Sequence, residues 1–166
     1  MLTWPKNPRI YEINTLVWIR ELSSTWGYEV TLATVPKEVW NSISELAMDA
    51  VWLMGVWERS PVGRTIARGH AGLTEEFRET LADFHDGDVL GSPYCVHQYE
   101  VDEGLGGRKG LAVARKELAK RGMLLVLDYV PNHVAVDHPW VTGHPEFFIR
   151  GTAQDLKEEP ASFVQL

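Results

Sequence analysis

Hydrophobic residues fall along this chain in two rhythms, and their alternation predicts a fold class. Arg9-Ile10-Tyr11-Glu12-Ile13-Asn14, just after Pro8, is a short β-prone segment. Lys37 to Met48 then repeats apolar residues at helical spacing, with Val39, Ile43, Leu46 and Ala47 on one stripe. Thr34 stands where it can cap that helix, and Pro36 suits its first turn. Ala50-Val51-Trp52-Leu53-Met54 is apolar throughout, has strand length and is ended by Gly55. A second helix is expected over Gly110 to Arg121, with Leu111, Ala114 and Leu118 inward. Lys116, Lys120 and Arg121 complement the negative end of its dipole, and Gly122 falls just past it. Met123-Leu124-Leu125-Val126-Leu127 follows at once and is apolar at every position.

Neither of the last two runs alternates between apolar and polar. A strand apolar on both faces needs cover on both faces, as parallel strands have in α/β folds. The order strand, helix, strand, helix, strand therefore reads as two βαβ units in series. Such a series fits a Rossmann-like sheet or part of a (β/α)₈ barrel. The Rossmann option needs a glycine-rich turn after the first strand. The chain instead reads Asn14-Thr15-Leu16-Val17-Trp18, so that option is set aside. The connection from Gly55 to Lys109 is long, contains an amphipathic helical pattern near Leu73, Phe77, Leu81 and Phe84, and lies where barrel enzymes carry their active sites.

Composition narrows the function classes. With 16 basic and 23 acidic residues the net charge is −7, which argues against a nucleic-acid or anionic-membrane partner. One cysteine, Cys95, excludes an internal disulfide. The amino terminus shows no apolar signal region and no run spans a bilayer, so a cytoplasmic location is the default expectation. Seven tryptophans are many for 166 residues. Packing accounts for at least five of them in this reading, although flat aromatic faces also suit the apolar face of a sugar ring.

Chemistry concentrates at the end of the third predicted strand, in Asp128-Tyr129-Val130-Pro131-Asn132-His133. A carboxylate at the carboxyl end of a parallel strand, with an amide and an imidazole close behind, sits where such folds bind ligands. The same residues read equally well as a capped loop. His133, Asp137, His138 and His144 follow no zinc-ligand spacing. Glu58 and Arg59 are read as a solvated surface pair, and Cys95 as a small buried hydrophobe.

Several segments, in order, resemble the α-amylase family of glycoside hydrolases. Asp128-Tyr129-Val130-Pro131-Asn132-His133 is similar to the family's Asp-x-x-x-Asn-His at the end of barrel strand three, and Arg121-Gly122-Met123 to its lead-in. Gly91-Ser92-Pro93-Tyr94 resembles another family segment, and Leu105-Gly106-Gly107 the start of the next helix. Tyr11-Glu12-Ile13 is similar to the first strand, and Asp49-Ala50-Val51-Trp52-Leu53 with Ser60-Pro61 to the second. One departure is Gln98, where many members carry an aspartate.

The resemblance implies an α/β chain that is a partial TIM (β/α)₈ barrel. Residues 1–133 would supply the first three strands with their helices, and residues 134–166 the start of the small B-domain excursion. Tyr94 would stack on the sugar at the cleaved subsite and His133 would hydrogen-bond its primary hydroxyl. Asp128 would be a buried partner that orients neighbouring polar groups. Asn132 corresponds to a calcium ligand in many members but not in others, so calcium is an optional cofactor. Trp140 and Phe147 are assigned to packing within the excursion. A complete barrel needs roughly 250 residues and eight strands. The family's nucleophile and acid/base carboxylates would lie beyond Leu166, leaving no catalytic residue within the chain. The expectation is an N-terminal fragment of a retaining hydrolase of α-glucosidic bonds, inactive alone, whose partners are an α-glucan or α-glucoside and the rest of its own barrel. A trehalose synthase, glucanotransferase or sucrose phosphorylase shares the signature, and a non-catalytic carbohydrate-binding relic would keep it too.

Overall fold

The computed structural model describes residues 3–160 together with Phe163 and Gln165. The chain divides into two compact units, residues 1–58 with 99–130 and residues 59–98 with 131–166. Its strands are β1 (Ile10–Asn14), β2 (Ala50–Met54), β3 (Trp57–Arg59), β4 (Val96–Val101) and β5 (Leu124–Leu127). The helices are α1 (Thr15–Trp26), α2 (Lys37–Glu45), α3 (Pro61–Gly69), α4 (Ala71–Thr80), α5 (Gly107–Lys120), α6 (Pro139–Gly143) and α7 (Ala153–Glu158). β3 and β4 form a two-stranded sheet.

The first unit is a parallel sheet of order β1-β2-β5 carrying helices. Tyr11 pairs with Val51 and Ile13 with Leu53, while Val51 pairs with Leu125 and Leu53 with Leu127. The three predicted strands are these three, adjacent and parallel. The central strand is the driest, with Ala50, Val51 and Leu53 fully buried. β5 lies at the edge of this sheet, and all four of its residues are half-buried. Ile13, Val51 and Leu53 from the sheet meet Ile19, Trp40, Ile43, Ala114 and Leu118 from the helices in one core.

The helices show where the pattern was read well and where it was not. α5 begins at Gly107, three residues before the expected Gly110, and buries Gly110, Ala114 and Leu118. It ends as predicted: Gly122, at φ +78°, donates to the Ala119 carbonyl while Met123 donates to Leu118, closing a Schellman turn that feeds β5. α2 stops at Glu45 rather than Met48, because Ala47 turns into the left-handed region at φ 53°. Its buried face is Trp40 and Ile43; Leu46 is 46% exposed. Thr34 does not cap α2, since its hydroxyl instead accepts from the Thr31 amide at 2.9 Å and the first position before the helix is Pro36. α1 was not predicted. It follows β1 without a loop and buries Thr15 and Ile19, and Trp18 meets Trp40 edge-to-face at 5.4 Å.

The second unit has a different texture. It is built of short helices and turns, α3, α4, α6 and α7, each started by a side chain accepting a backbone N–H. Ser60 caps α3, His70 caps α4, His138 caps α6 and Thr152 caps α7. The helical pattern read near Leu73 and Phe77 is α4; Leu81 and Phe84 lie past its end, where Phe84 packs on Phe77 at 5.9 Å.

Trp40 alone among the tryptophans is wholly buried; Trp18, Trp52 and Trp57 are half-buried and Trp4, Trp26 and Trp140 exposed. Trp140, although 47% exposed, meets the His138 and Phe147 rings at 5.0 and 5.7 Å.

Candidate functional site

Asp128 lies in the first unit, immediately after β5, and is 9% exposed. Its carboxylate has two donors. Trp52 Nε1, from β2, donates to Oδ1 at 2.8 Å, and the Gly55 amide donates to Oδ2 at 2.5 Å. Gly55 presents that amide with φ at +74°, a conformation that favours glycine. The Asp128 carbonyl accepts from Trp57 Nε1 at 3.0 Å. A carboxylate buried this far needs hydrogen bonds to offset its lost hydration, and here both oxygens have them. Trp52, Trp57 and Gly55 were not singled out as site residues. The available signal was their position, since Trp52 lies within the strand that pairs with β5 and Gly55 and Trp57 follow it.

Tyr94, Asn132 and His133 lie in the second unit. His133 Nε2 is 3.2 Å from the Tyr94 carbonyl oxygen. A carbonyl only accepts, so Nε2 carries the proton in this contact and neutral His133 leaves Nδ1 as an acceptor. Asn132 Nδ2 reaches Nδ1 at 3.5 Å, long for a hydrogen bond. Asn132 and His133 are exposed, and Tyr94 is half-buried. The fold therefore brings His133 to the Tyr94 backbone and Asn132 to His133.

Calcium takes six to eight oxygen ligands. The Asn132 side chain offers one such oxygen, and among the described residues no group of three or more His, Cys, Asp or Glu could hold a metal ion. One amide oxygen does not make a calcium site by itself.

A second polar cluster joins the start of α3 to the segment before α6. Ser60 Oγ donates to Asp137 Oδ1 at 2.6 Å and accepts from the Gly63 amide at 2.7 Å, while the Val62 amide donates to Asp137 Oδ2 at 3.2 Å. His97 Nδ1 lies 3.7 Å from Asp137 Oδ1. The hydrogen bonds from Ser60 and Val62 hold the Asp137 carboxyl below its ordinary value despite the opposing effect of burial. Burial, helped by the nearby His97, holds His138 below the ordinary histidine value, which keeps its Nδ1 free to accept from the Trp140 amide at 3.1 Å.

Other expectations change. Arg59 is not a solvated surface group: it is half-buried and donates to the Gly91 carbonyl at 3.2 Å. Cys95 is half-buried rather than buried, and its sulfur packs over Gly63, where a Cβ would lie 2.7 Å away. Trp140 and Phe147 touch edge-to-face at 5.7 Å yet stay 47% and 62% exposed.

No family model matches this chain, and no curated protein does. Solved structures do match. An α-amylase from Lactobacillus plantarum superposes on 87% of the chain at 23% identity with a TM-score of 0.60. A maltogenic α-amylase from Thermotoga neapolitana covers 89% at 24% identity, also with a TM-score of 0.60. The fold is that of a segment of an α-amylase. A third match, the Geobacillus thermoleovorans α-amylase complexed with acarbose, covers 84% at 24% identity and a TM-score of 0.50. This chain spans only 27%, 29% and 26% of the lengths of those three enzymes. Among the described residues no helix is long and apolar enough to cross a membrane.

Proposed function

We propose that these residues are the N-terminal part of the (β/α)₈ catalytic barrel of a retaining glycoside hydrolase acting on α-glucosidic bonds. Residues 1–133 would carry barrel strands one to three, here β1, β2 and β5, and residues 134–166 would begin the excursion after the third. One observation carries the reading. Asp128, Asn132 and His133 directly follow the third strand of a parallel sheet in a chain with an α-amylase fold.

Each residue's chemistry suits its role. Retaining hydrolysis uses a nucleophilic carboxylate and an acid/base carboxyl about 5–5.5 Å apart. Asp128 is poorly suited to attack a sugar carbon, because both its oxygens accept N–H donors. That arrangement serves an organising carboxylate. The nucleophile and the acid/base would come from barrel strands outside these residues, so the 166-residue chain alone does not turn over substrate. Tyr94 offers an aromatic face to a glucose ring. His133, with Nε2–H on the Tyr94 carbonyl, offers Nδ1 to a sugar hydroxyl, displacing the long contact to Asn132.

Calorimetric titration with a maltooligosaccharide series tests this. Weak binding that Tyr94→Ala abolishes, with no release of sugar from a chromogenic maltoside, is the expected result. Turnover by the purified chain, or no binding at millimolar sugar, would overturn it.

A further inference from the structure

Three aromatic side chains with polar hydrogens converge on the turn that leaves β5, all within the first unit. Trp52 Nε1 holds the Asp128 carboxylate and Trp57 Nε1 the Asp128 carbonyl. The Tyr99 hydroxyl, from β4, accepts from the Val130 amide at 2.8 Å and donates to the Val130 carbonyl at 3.1 Å. One hydroxyl thus satisfies both main-chain groups of a residue past the end of β5. Tyr99 is itself flanked by Trp57 and Tyr129, with ring centroids 5.3 and 6.2 Å away.

We propose that Tyr99 is a positioning residue: through Val130 it fixes the turn 128–130, and so keeps the Asp128 carboxylate seated on Trp52 and Gly55. The argument is geometric. A strand end leaves main-chain groups without ladder partners, and these must find side chains or water. At Val130 a phenol that both donates and accepts replaces two water contacts at once. Its ring is fixed by packing, so the hydroxyl has little freedom to follow the turn if the turn moves. Trp57 links the two ends of the clamp, touching the Tyr99 ring and holding the Asp128 carbonyl. The inference rests on reading Asp128 as the organising carboxylate of a sugar site, and it names what organises that carboxylate in turn.

Tyr99→Phe isolates the hydroxyl, because the ring contacts remain. Amide exchange and ¹⁵N NMR on the full chain give two reporters, the Val130 amide and the Trp52 Nε1–H. In Tyr99→Phe, Val130 exchange should accelerate about tenfold or more. The Trp52 indole resonance should move, although its hydrogen bond is to Asp128 and not to Tyr99 or Val130. Ile43→Val, in the core of the same unit, should lower stability and leave both reporters in place. Reporters that stay unchanged in Tyr99→Phe, or that respond equally to Ile43→Val, overturn the clamp. So does an unprotected Val130 amide in the wild-type chain, a test that needs no variant to fold. Maltooligosaccharide titration separates the two readings. A wild-type chain that binds no sugar removes the functional reading, while the indole resonance still decides the clamp.

Discussion

The two units of this chain are held together by different physics. The first has apolar strands and helices whose side chains meet in one core, from Ile13 and Leu53 to Trp40 and Leu118. The second relies on polar stitches, with four helices started by Ser60, His70, His138 and Thr152 and a loop tied down by Asp137. Burial of apolar area is non-directional and tolerant, whereas a buried hydrogen bond fails completely when one partner is removed. Damage should therefore be graded in the first unit and local but sharp in the second.

The largest effect is expected from Trp40→Ala. Trp40 is 1% exposed and meets Trp18 edge-to-face, so its removal leaves a cavity beneath the sheet. A loss of about 3–5 kcal/mol is expected by urea unfolding, a large share of a small domain's stability. Next is Asp137→Ala, which strands the Ser60 hydroxyl and the Val62 amide and should cost about 1–3 kcal/mol. Its signature is local: amide exchange should rise around Val62 and Gly63 and stay unchanged at Val51 and Leu53. Uniform loss of protection across both units would erase the proposed contrast.

A smaller effect should appear with pH. His138 is held below the ordinary histidine value of about 6.5 by burial. The unfolded chain then binds the proton more readily, so stability is full above about pH 6.5 and falls as pH drops through it. Exchange at the Trp140 amide, which His138 caps, should report the loss, and His138→Asn should flatten the slope while keeping a capping acceptor. The smallest effect belongs to the first unit's surface. Glu117, bonded to Lys120 and Arg121, is pushed down to about 2, so its contribution persists above about pH 4.5 and is lost only as pH falls towards 2. Salt should weaken it, and Glu117→Gln should lower the melting temperature by no more than a few degrees.

The same contrast governs what could be read from sequence. Apolar runs and helical stripes made β1, β2, β5, α2 and α5 legible, including the glycine that ends α5. α1 escaped because Val17, Ser23, Ser24 and Thr25 are weak helix formers, and its helicity rests on burying Ile19 against the core. β3 has three residues and β4 no period-two burial, so neither carries a strand rhythm. In the candidate site, Asp128 and His133 were visible from position and motif. Trp52, Trp57 and Tyr99 were not, because a donor aimed at a carboxylate or carbonyl from a distant strand leaves no local pattern. Asp137 and His138 showed no metal spacing, and the work they do, anchoring Ser60 and capping α6, depends on partners far away in the chain or on burial.

The most direct measurement is a ¹H–¹⁵N chemical-shift map of the labelled 166-residue chain titrated with maltotriose. The expected result is a saturating set of shifts at Tyr94 and His133, with Val141 to Arg150 little affected. No shift at tens of millimolar sugar, or shifts confined to other residues, would contradict a glucoside-binding role for this fold.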